Sequence, residues 1–174
     1  MITEVRDMRN RMVMALLAMA AALLIAAGAG LAGDRDDNRK ILAGLTTARA
    51  YFDVRVETPQ KLANLLLLID RTYGEMAAAG VAPELVVGFR SKASYFVTKG
   101  DDYVLEEDLP AMKKVEQGLQ RLKERGIVLE QCLLSAELYD IEPQDFLPQL
   151  ELVENGYIAL IAYQAKGYAL VPMD

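Results

Sequence analysis

The amino-acid sequence predicts an α/β fold, a three-layer sandwich in which helices flank a mostly parallel five-stranded sheet. Five short stretches with strand character alternate with segments whose apolar residues recur every three or four positions. Strands separated by helices run parallel, because each helix carries the chain back to the same end of the sheet. With 174 residues, of which 53% are apolar and 25% charged, the chain has the composition of a globular protein.

The first strand and the first long helix open the predicted domain. In residues 50–56, AYFDVRV, apolar side chains alternate with charged ones, which indicates a strand with one buried face. Thr58 and Pro59 then begin a helix, because threonine caps helices and proline fits the first helical turn. Gly80 is placed to end this helix.

The middle of the chain repeats the strand and helix pattern. Residues 83–90 predict the second strand, and residues 91–97 predict a short helix. An amphipathic helix is expected from residue 109 to residue 125, with Gly126 at its end. The third strand is expected over residues 127–134.

The last part of the chain supplies two more strands. Residues 143–149 predict one short helical turn, and residues 150–153 predict the fourth strand. Asn155 is placed to cap a helix that stops at Gly167. Residues 168–172 predict the final strand.

The amino-terminal segment predicts export. Residues 1–33 run from basic through apolar to small residues, which is typical of a signal peptide with cleavage after Ala29 or Ala32. The alternative is an uncleaved anchor, because the stretch is long enough to span a bilayer. Residues 34–47 predict a linker, and residues 48–174 predict one domain. We expect a periplasmic or exported protein, or a periplasmic domain anchored in the inner membrane; the domain contacts the membrane only if the segment is retained.

The composition excludes several classes of function. The chain has no histidine, which rules out imidazole bases, catalytic triads and histidine metal ligands. One cysteine cannot form an internal disulfide or a thiolate zinc cage, and no Gly-rich phosphate motif occurs. A net charge of −6 without a basic cluster argues against binding of nucleic acid. We therefore expect no metal and no cofactor.

Cys132 is the candidate catalytic residue. It lies late in the predicted third strand, and ligands of parallel α/β sheets bind beyond the carboxyl ends of the strands. A helix that begins nearby favours the thiolate, which is the nucleophilic form. The alternative is that Cys132 is buried, since cysteine often packs as a small hydrophobic residue.

Four further residues are candidates for binding an anionic sulfur group near the thiol. Arg90 and Ser91 follow the second strand, and Ser135 follows the third strand, where it can also cap a helix. Asn155 opens the last helix, whose backbone N–H groups can face an anion. The alternatives are a solvated loop for Arg90 and a plain helix cap for Asn155.

Two stretches carry a resemblance to a known family. RGIVLEQC at residues 125–132, and FLPQLELVENGYIALIAYQAKGYALVP at residues 146–172, resemble DsrE/DsrF-like proteins, in particular an exported single-domain branch. The resemblance extends over about residues 48–172. It implies flavodoxin-like layering and a homo-oligomer, either a trimer or a hexamer.

The resemblance also implies a function for Cys132. In the sulfur-relay members, the cysteine at this strand end carries sulfur as a persulfide and passes it to a partner protein. This chain is then expected to be a sulfur carrier or sulfurtransferase-like protein that exchanges sulfur with a protein or a small sulfur compound. Two alternatives stay open: a non-catalytic ligand-binding or assembly subunit with a structural Cys132, and a thiol redox sensor.

Overall fold

The computed structural model describes residues 37–174. Its strands are β1 (Thr47–Val54), β2 (Ala82–Phe89), β3 (Val128–Cys132), β4 (Glu151–Val153) and β5 (Ala169–Met173). Its α-helices are α1 (Asp37–Ile41), α2 (Pro59–Ala78), α3 (Leu109–Glu124), α4 (Leu133–Leu138) and α5 (Gly156–Ala165). Short 3₁₀ helices span Ser91–Val97, Glu106–Asp108 and Pro143–Asp145. The strands form one parallel sheet in the order β4-β3-β2-β1-β5, which confirms the predicted α/β fold.

One face of the sheet carries the hydrophobic core. Phe52 and Val54 of β1 are buried there together with Leu66 and Ile69 of α2 and Leu119 of α3. Full burial of a side chain of this size stabilises a fold by about 1.5–3 kcal/mol. The amphipathic pattern of α2 and α3 thus fixes both helices against this face.

The opposite face is more polar and lies beneath α5. Successive residues of a strand point to opposite faces, so Tyr51 and Asp53 of β1 and Glu130 and Cys132 of β3 face away from the core. Tyr163 of α5 packs on this face, with its ring centroid 5.3 Å from that of Tyr51. Buried polar groups are therefore concentrated between α5 and the sheet.

The predicted starts and ends of α2, α3 and α5 are confirmed, as three positions illustrate. The Thr58 side chain accepts a hydrogen bond from the Lys61 N–H at 3.3 Å and caps α2. Asn155 caps α5 through two backbone N–H groups. Gly126 follows α3 with a φ of +79°, a conformation that glycine adopts without steric cost.

The third strand is shorter than the predicted range of 127–134. β3 ends at Cys132, because α4 begins at Leu133; the Leu134 N–H still donates to the carbonyl of Glu154, the residue that follows β4. Ser135 therefore lies inside α4, and the prediction that it caps this helix is wrong. The Cys132 residue itself occupies the cap position.

The amino-terminal boundary differs in detail from the predicted one. The predicted signal peptide or anchor, residues 1–33, lies outside the described residues. Helix α1 falls within the predicted linker and belongs to a unit that ends at Ile41, while the sheet belongs to a second unit, Leu42–Asp174. None of the helices between residues 37 and 174 combines the length and apolar character needed to cross a membrane.

Candidate functional site

Cys132 lies at the carboxyl end of β3, beneath the first turn of α5. The residue is 3% exposed, and its Sγ accepts a hydrogen bond from the Gly156 N–H at 3.2 Å. A Cβ atom on Gly156 would lie only 2.9 Å from the Cys132 Cβ and 3.0 Å from the Sγ. Glycine at this position therefore allows the amino-terminal end of α5 to approach the sulfur.

Gln131 fixes the backbone next to the thiol. Its buried side chain points to the core face, where Nε2 donates to Ser94 Oγ at 2.8 Å and to the Cys132 carbonyl at 2.8 Å. These bonds join the end of β3 to the 3₁₀ helix that follows β2. The strand end that carries Cys132 is thus held from both sides of the sheet.

Arg90 lies close to the same turn of α5, but its charge is already paired. Its guanidinium donates two hydrogen bonds of 2.5 Å to Asp53 and stacks over the Tyr157 ring at 4.5 Å. Asp53 raises the pKa of Arg90, and Arg55 adds a second contact to this carboxylate at 3.5 Å. The predicted role of Arg90 as an anion ligand therefore competes with a partly buried ion pair.

Ser91 and Ser135 contact each other at the ends of β2 and β3. The Ser91 N–H donates to Ser135 Oγ at 3.0 Å, and Ser91 Oγ lies 3.2 Å from the Tyr139 hydroxyl. Ser91 has a φ of +59°, a left-handed conformation that costs a non-glycine residue roughly 1–3 kcal/mol. The two predicted serines therefore join the end of β2 to α4.

Asn155 acts through the helix that it caps. Its side-chain oxygen accepts hydrogen bonds from the Tyr157 N–H at 3.0 Å and the Ile158 N–H at 3.4 Å. The next residue, Gly156, donates to the Cys132 sulfur. Asn155 thus positions the N–H group that contacts the thiol, and its own side chain is occupied.

Glu130 is a buried carboxylate of this face that the sequence alone did not predict as a site residue. The residue is 6% exposed, and Oε1 accepts a hydrogen bond from the Tyr163 hydroxyl at 2.9 Å. Oε2 is buried and has no hydrogen-bond partner within residues 37–174. Burial raises the pKa of Glu130 above its ordinary value, and the Tyr163 hydroxyl opposes this rise. The signal available in the sequence is a glutamate inside the largely apolar stretch IVLEQCLL at residues 127–134.

Outside this face, a metal-binding cluster or a surface pocket would be the other candidates for a functional site. The part of the chain that the structure describes holds no group of three or more histidine, cysteine, aspartate or glutamate residues arranged to bind a metal. A surface pocket of about 340 Å³ opens between the first 3₁₀ helix and α3, lined in part by Phe96, Lys99, Met112 and Lys113. None of the predicted site residues lines it.

Comparison with known proteins identifies a family that this chain matches and a solved structure that shares its fold. Residues 43–173 match the DsrE/DsrF-like family. The chain is similar to the solved structure of MTH1491, a protein of unknown function from Methanobacterium thermoautotrophicum, with a TM-score of 0.54 and 17% identity over 72% of this chain and 98% of that chain. No curated protein matches the sequence. At this identity, the structural likeness concerns the fold alone.

Proposed function

Because this chain belongs to the DsrE/DsrF-like family, which suggests a role related to sulfur relay, we propose that it is a sulfur-trafficking protein. Cys132 carries sulfane sulfur as a persulfide and passes it to an acceptor. The observation that carries this proposal is the position of the thiol at the carboxyl end of β3, where the Gly156 N–H contacts the sulfur. Such strand ends are where parallel α/β sheets bind their ligands.

The chemistry uses the thiolate as the nucleophile. The Cys132 sulfur attacks the outer sulfur of a donor, a new S–S bond forms, and the donor's bond to that sulfur breaks with its electron pair on the leaving group. An acceptor thiolate then takes the sulfur by the same kind of displacement. Cys132 is 3% exposed, so the first turn of α5 has to shift before a donor reaches the sulfur.

Export is part of the proposal. The basic, apolar and small residues of positions 1–33 support a periplasmic or exported protein, with the donor and acceptor being a small sulfur compound or a partner protein of that compartment. Cell fractionation of the tagged full chain, with immunoblotting and comparison of the apparent mass with that of the full-length translation product, tests this. Retention of the whole chain in the cytoplasmic fraction would contradict export.

Self-association through α5 is also proposed, as a trimer or hexamer. Helix α5 contains no charged residue and exposes Tyr157 by 57%, Ile158 by 64% and Ile161 by 63%. The occupant we propose is a second copy of this chain. Because each copy has a net charge of −6, an uncharged surface is where two copies approach each other with the least repulsion.

Intact-mass measurement tests the carrier function. The full chain and a Cys132→Ser variant are weighed before and after incubation with thiosulfate or polysulfide. We expect a gain of about 32 Da that reductant reverses and that the variant lacks. If no sulfur is gained and the native thiol also resists alkylation, the carrier function is wrong.

A structural role for Cys132 is the second candidate. Its burial and its close contact with Gly156 favour a chain that binds a ligand or assembles without thiol chemistry. A redox sensor is a third candidate, and it predicts a disulfide between two copies after mild oxidation. Alkylation in the native state separates the structural role from the other two, and uptake of sulfur separates the carrier from the sensor.

A further inference from the structure

A row of polar positions crosses the sheet beneath α5. The strand register places Asp53 beside Gly88, Gly88 beside Glu130, and Glu130 beside Glu151. Gly88 has no side chain, and the Tyr51 hydroxyl fills the space above it, since a Cβ built there would lie 1.9 Å from that oxygen. The Tyr51 hydroxyl therefore lies above the strand that separates the Asp53 and Glu130 positions.

The three carboxylates of this row differ in their partners. Asp53 is paired with Arg90, and Glu151 is exposed and lies 3.5 Å from the Lys123 ammonium. Glu130 is buried, and its Oε2 has no hydrogen-bond partner in the described part of the chain. A buried carboxylate oxygen without a donor costs free energy as long as the group is ionised. Glu130 is therefore the carboxylate of this row that is best prepared to take up a proton.

Several ionisable groups face Glu130 and influence its protonation. Burial is the largest cause of the raised pKa of Glu130, and the negative charge of Glu151 acts in the same direction. The hydroxyl groups of Tyr163 and Tyr51 and the positive charge of Lys166 lower this pKa. The groups that act on Glu130 directly are Tyr51 of β1, Glu151 of β4, and Tyr163 and Lys166 of α5. Asp53 and Arg90 act on Tyr51, Tyr168 acts on Tyr163, and Cys132 lies two residues away on the same strand. A carboxylate whose pKa is raised is a stronger base, which suits Glu130 to accept a proton.

Glu130 and Cys132 share one face and one covering helix. They are two residues apart on β3, which places their Cα atoms roughly 6.6 Å apart. Helix α5 contacts both, through the Gly156 N–H at the sulfur and the Tyr163 hydroxyl at Glu130 Oε1. Since the chain has no histidine, the carboxylates of this face are the remaining side-chain bases for the thiol proton.

We propose that Glu130 is the proton acceptor for the Cys132 thiol, directly or through one water molecule. This inference rests on the proposed carrier function. With thiosulfate as the donor, the thiol proton passes to the Glu130 carboxylate and the sulfur attacks the outer sulfur of thiosulfate. The products are the Cys132 persulfide anion, protonated Glu130 and sulfite, which leaves with the electron pair of the broken S–S bond. Release of the proton to solvent resets Glu130.

The test is the rate of sulfur loading as a function of pH, measured by intact mass on the full chain. Glu130→Gln is expected to load at least about a hundredfold more slowly at pH 6–7, because a general base typically contributes roughly 10²–10⁴-fold to the rate. At alkaline pH its rate should approach that of the unchanged chain, because hydroxide from the solvent then replaces the missing carboxylate as the base. Glu151→Gln, which changes the exposed carboxylate of the same row, should load normally at every pH. A Glu130→Gln profile that is unchanged, or that is lowered equally at all pH values, would overturn the inference.

Tyr163→Phe is a second variant that retains the carboxylate. The Tyr163 hydroxyl lowers the pKa of Glu130, so its loss should move the acidic limb of the loading profile to higher pH. If the loading rate falls by the same factor at every pH and the acidic limb does not move, Glu130 is not the proton acceptor. This variant keeps the inference testable even if Glu130→Gln fails to fold.

Alkylation by iodoacetamide separates the inference from the carrier function. If the unchanged chain takes up no sulfur but its alkylation depends on Glu130 at pH 6–7, the carrier function is wrong and the proton acceptor is confirmed. If sulfur is loaded and neither reaction depends on Glu130, the carrier function stands and the proton acceptor is wrong. A thiol inert to both reagents at every pH overturns both.

Discussion

Two glycines decide what fits between α5 and the sheet. Gly156 leaves room for the Cys132 sulfur, and Gly88 leaves room for the Tyr51 hydroxyl. Any side chain at either position would overlap atoms that are already buried. At the scale of single residues, the site therefore requires glycine at both positions, because neither leaves room for a side chain.

Gly156→Ala should loosen the cover over Cys132. The added methyl group lies 3.0 Å or less from two Cys132 atoms, and such overpacking typically costs about 1–3 kcal/mol in the free energy of unfolding. We expect lower stability in urea and faster alkylation of the thiol by iodoacetamide. Gly74→Ala in α2 is the control, because its methyl group meets nothing closer than 3.9 Å and should stabilise the helix by about 0.5–1 kcal/mol. An unchanged alkylation rate in Gly156→Ala would contradict the close contact.

Arg90→Ala should destabilise the chain more than loss of an exposed arginine. The change leaves the buried Asp53 carboxylate with only the 3.5 Å contact to Arg55. Breaking a fully buried pair costs about 3–5 kcal/mol, and we expect a smaller loss for this partly buried one. Urea unfolding followed by circular dichroism measures the difference. Arg49→Ala is the matched control, because its ion pair with Glu84 is exposed, and it should unfold at nearly the same urea concentration as the unchanged chain. Equal effects of the two variants would show that burial of the Arg90 pair is unimportant.

Helix α5 has two different sides at the scale of whole elements. Its inner side contacts Cys132 and Glu130, while its outer side exposes apolar residues. A second copy packed on the outer side would restrict the movement that exposes the thiol. Assembly and access to Cys132 are then coupled through one ten-residue helix.

Ile158→Lys combined with Ile161→Lys should lower the oligomer mass. Charges on the outer side of α5 oppose its burial, since an unpaired charge is costly to remove from water. Size-exclusion chromatography with light scattering measures the mass. Leu67→Lys with Leu68→Lys on α2 is the control, because these leucines are exposed to a similar extent on another helix. An unchanged mass for the α5 variant would contradict self-association through this surface.

The dependence of stability on pH is a property of the whole molecule. Burial raises the pKa of Glu130 in the folded chain, whereas the unfolded chain titrates near the ordinary value of 4.5. The folded state therefore binds the proton more tightly, and the associated stability is present below about pH 4.5 and lost as pH rises through the raised pKa.

Glu130→Gln should consequently raise the melting temperature more at pH 7 than at pH 4. The amide removes the cost of a buried negative charge at neutral pH, while at acidic pH the glutamate is already neutral. Thermal unfolding followed by circular dichroism at the two pH values checks this. Glu151→Gln, at an exposed position, should show no such difference between the two pH values. A larger gain at pH 4 would contradict the sign.

The sequence by itself determined the elements, because their causes are local. Thr58 and Asn155 cap helices with their own side chains, and the spacing of leucines in α2 and α3 marks the buried stripe. The position of Cys132 at a strand end followed from the same patterns. These features depend on residues within one or two helical turns of each other.

Only the tertiary structure decided which residues meet beneath α5. The row that joins Asp53, Gly88 and Glu130 depends on strand order and register, which link positions more than thirty residues apart. The pairing of Arg90 with Asp53 and the isolation of Glu130 Oε2 arise from that register. Local periodicity indicates that a residue is in a strand, but long-range packing determines which residues it contacts and how deeply it is buried. That is why the thiol and the helix start beside it were predicted from the sequence, whereas Glu130 and the pairing of Arg90 with Asp53 were not.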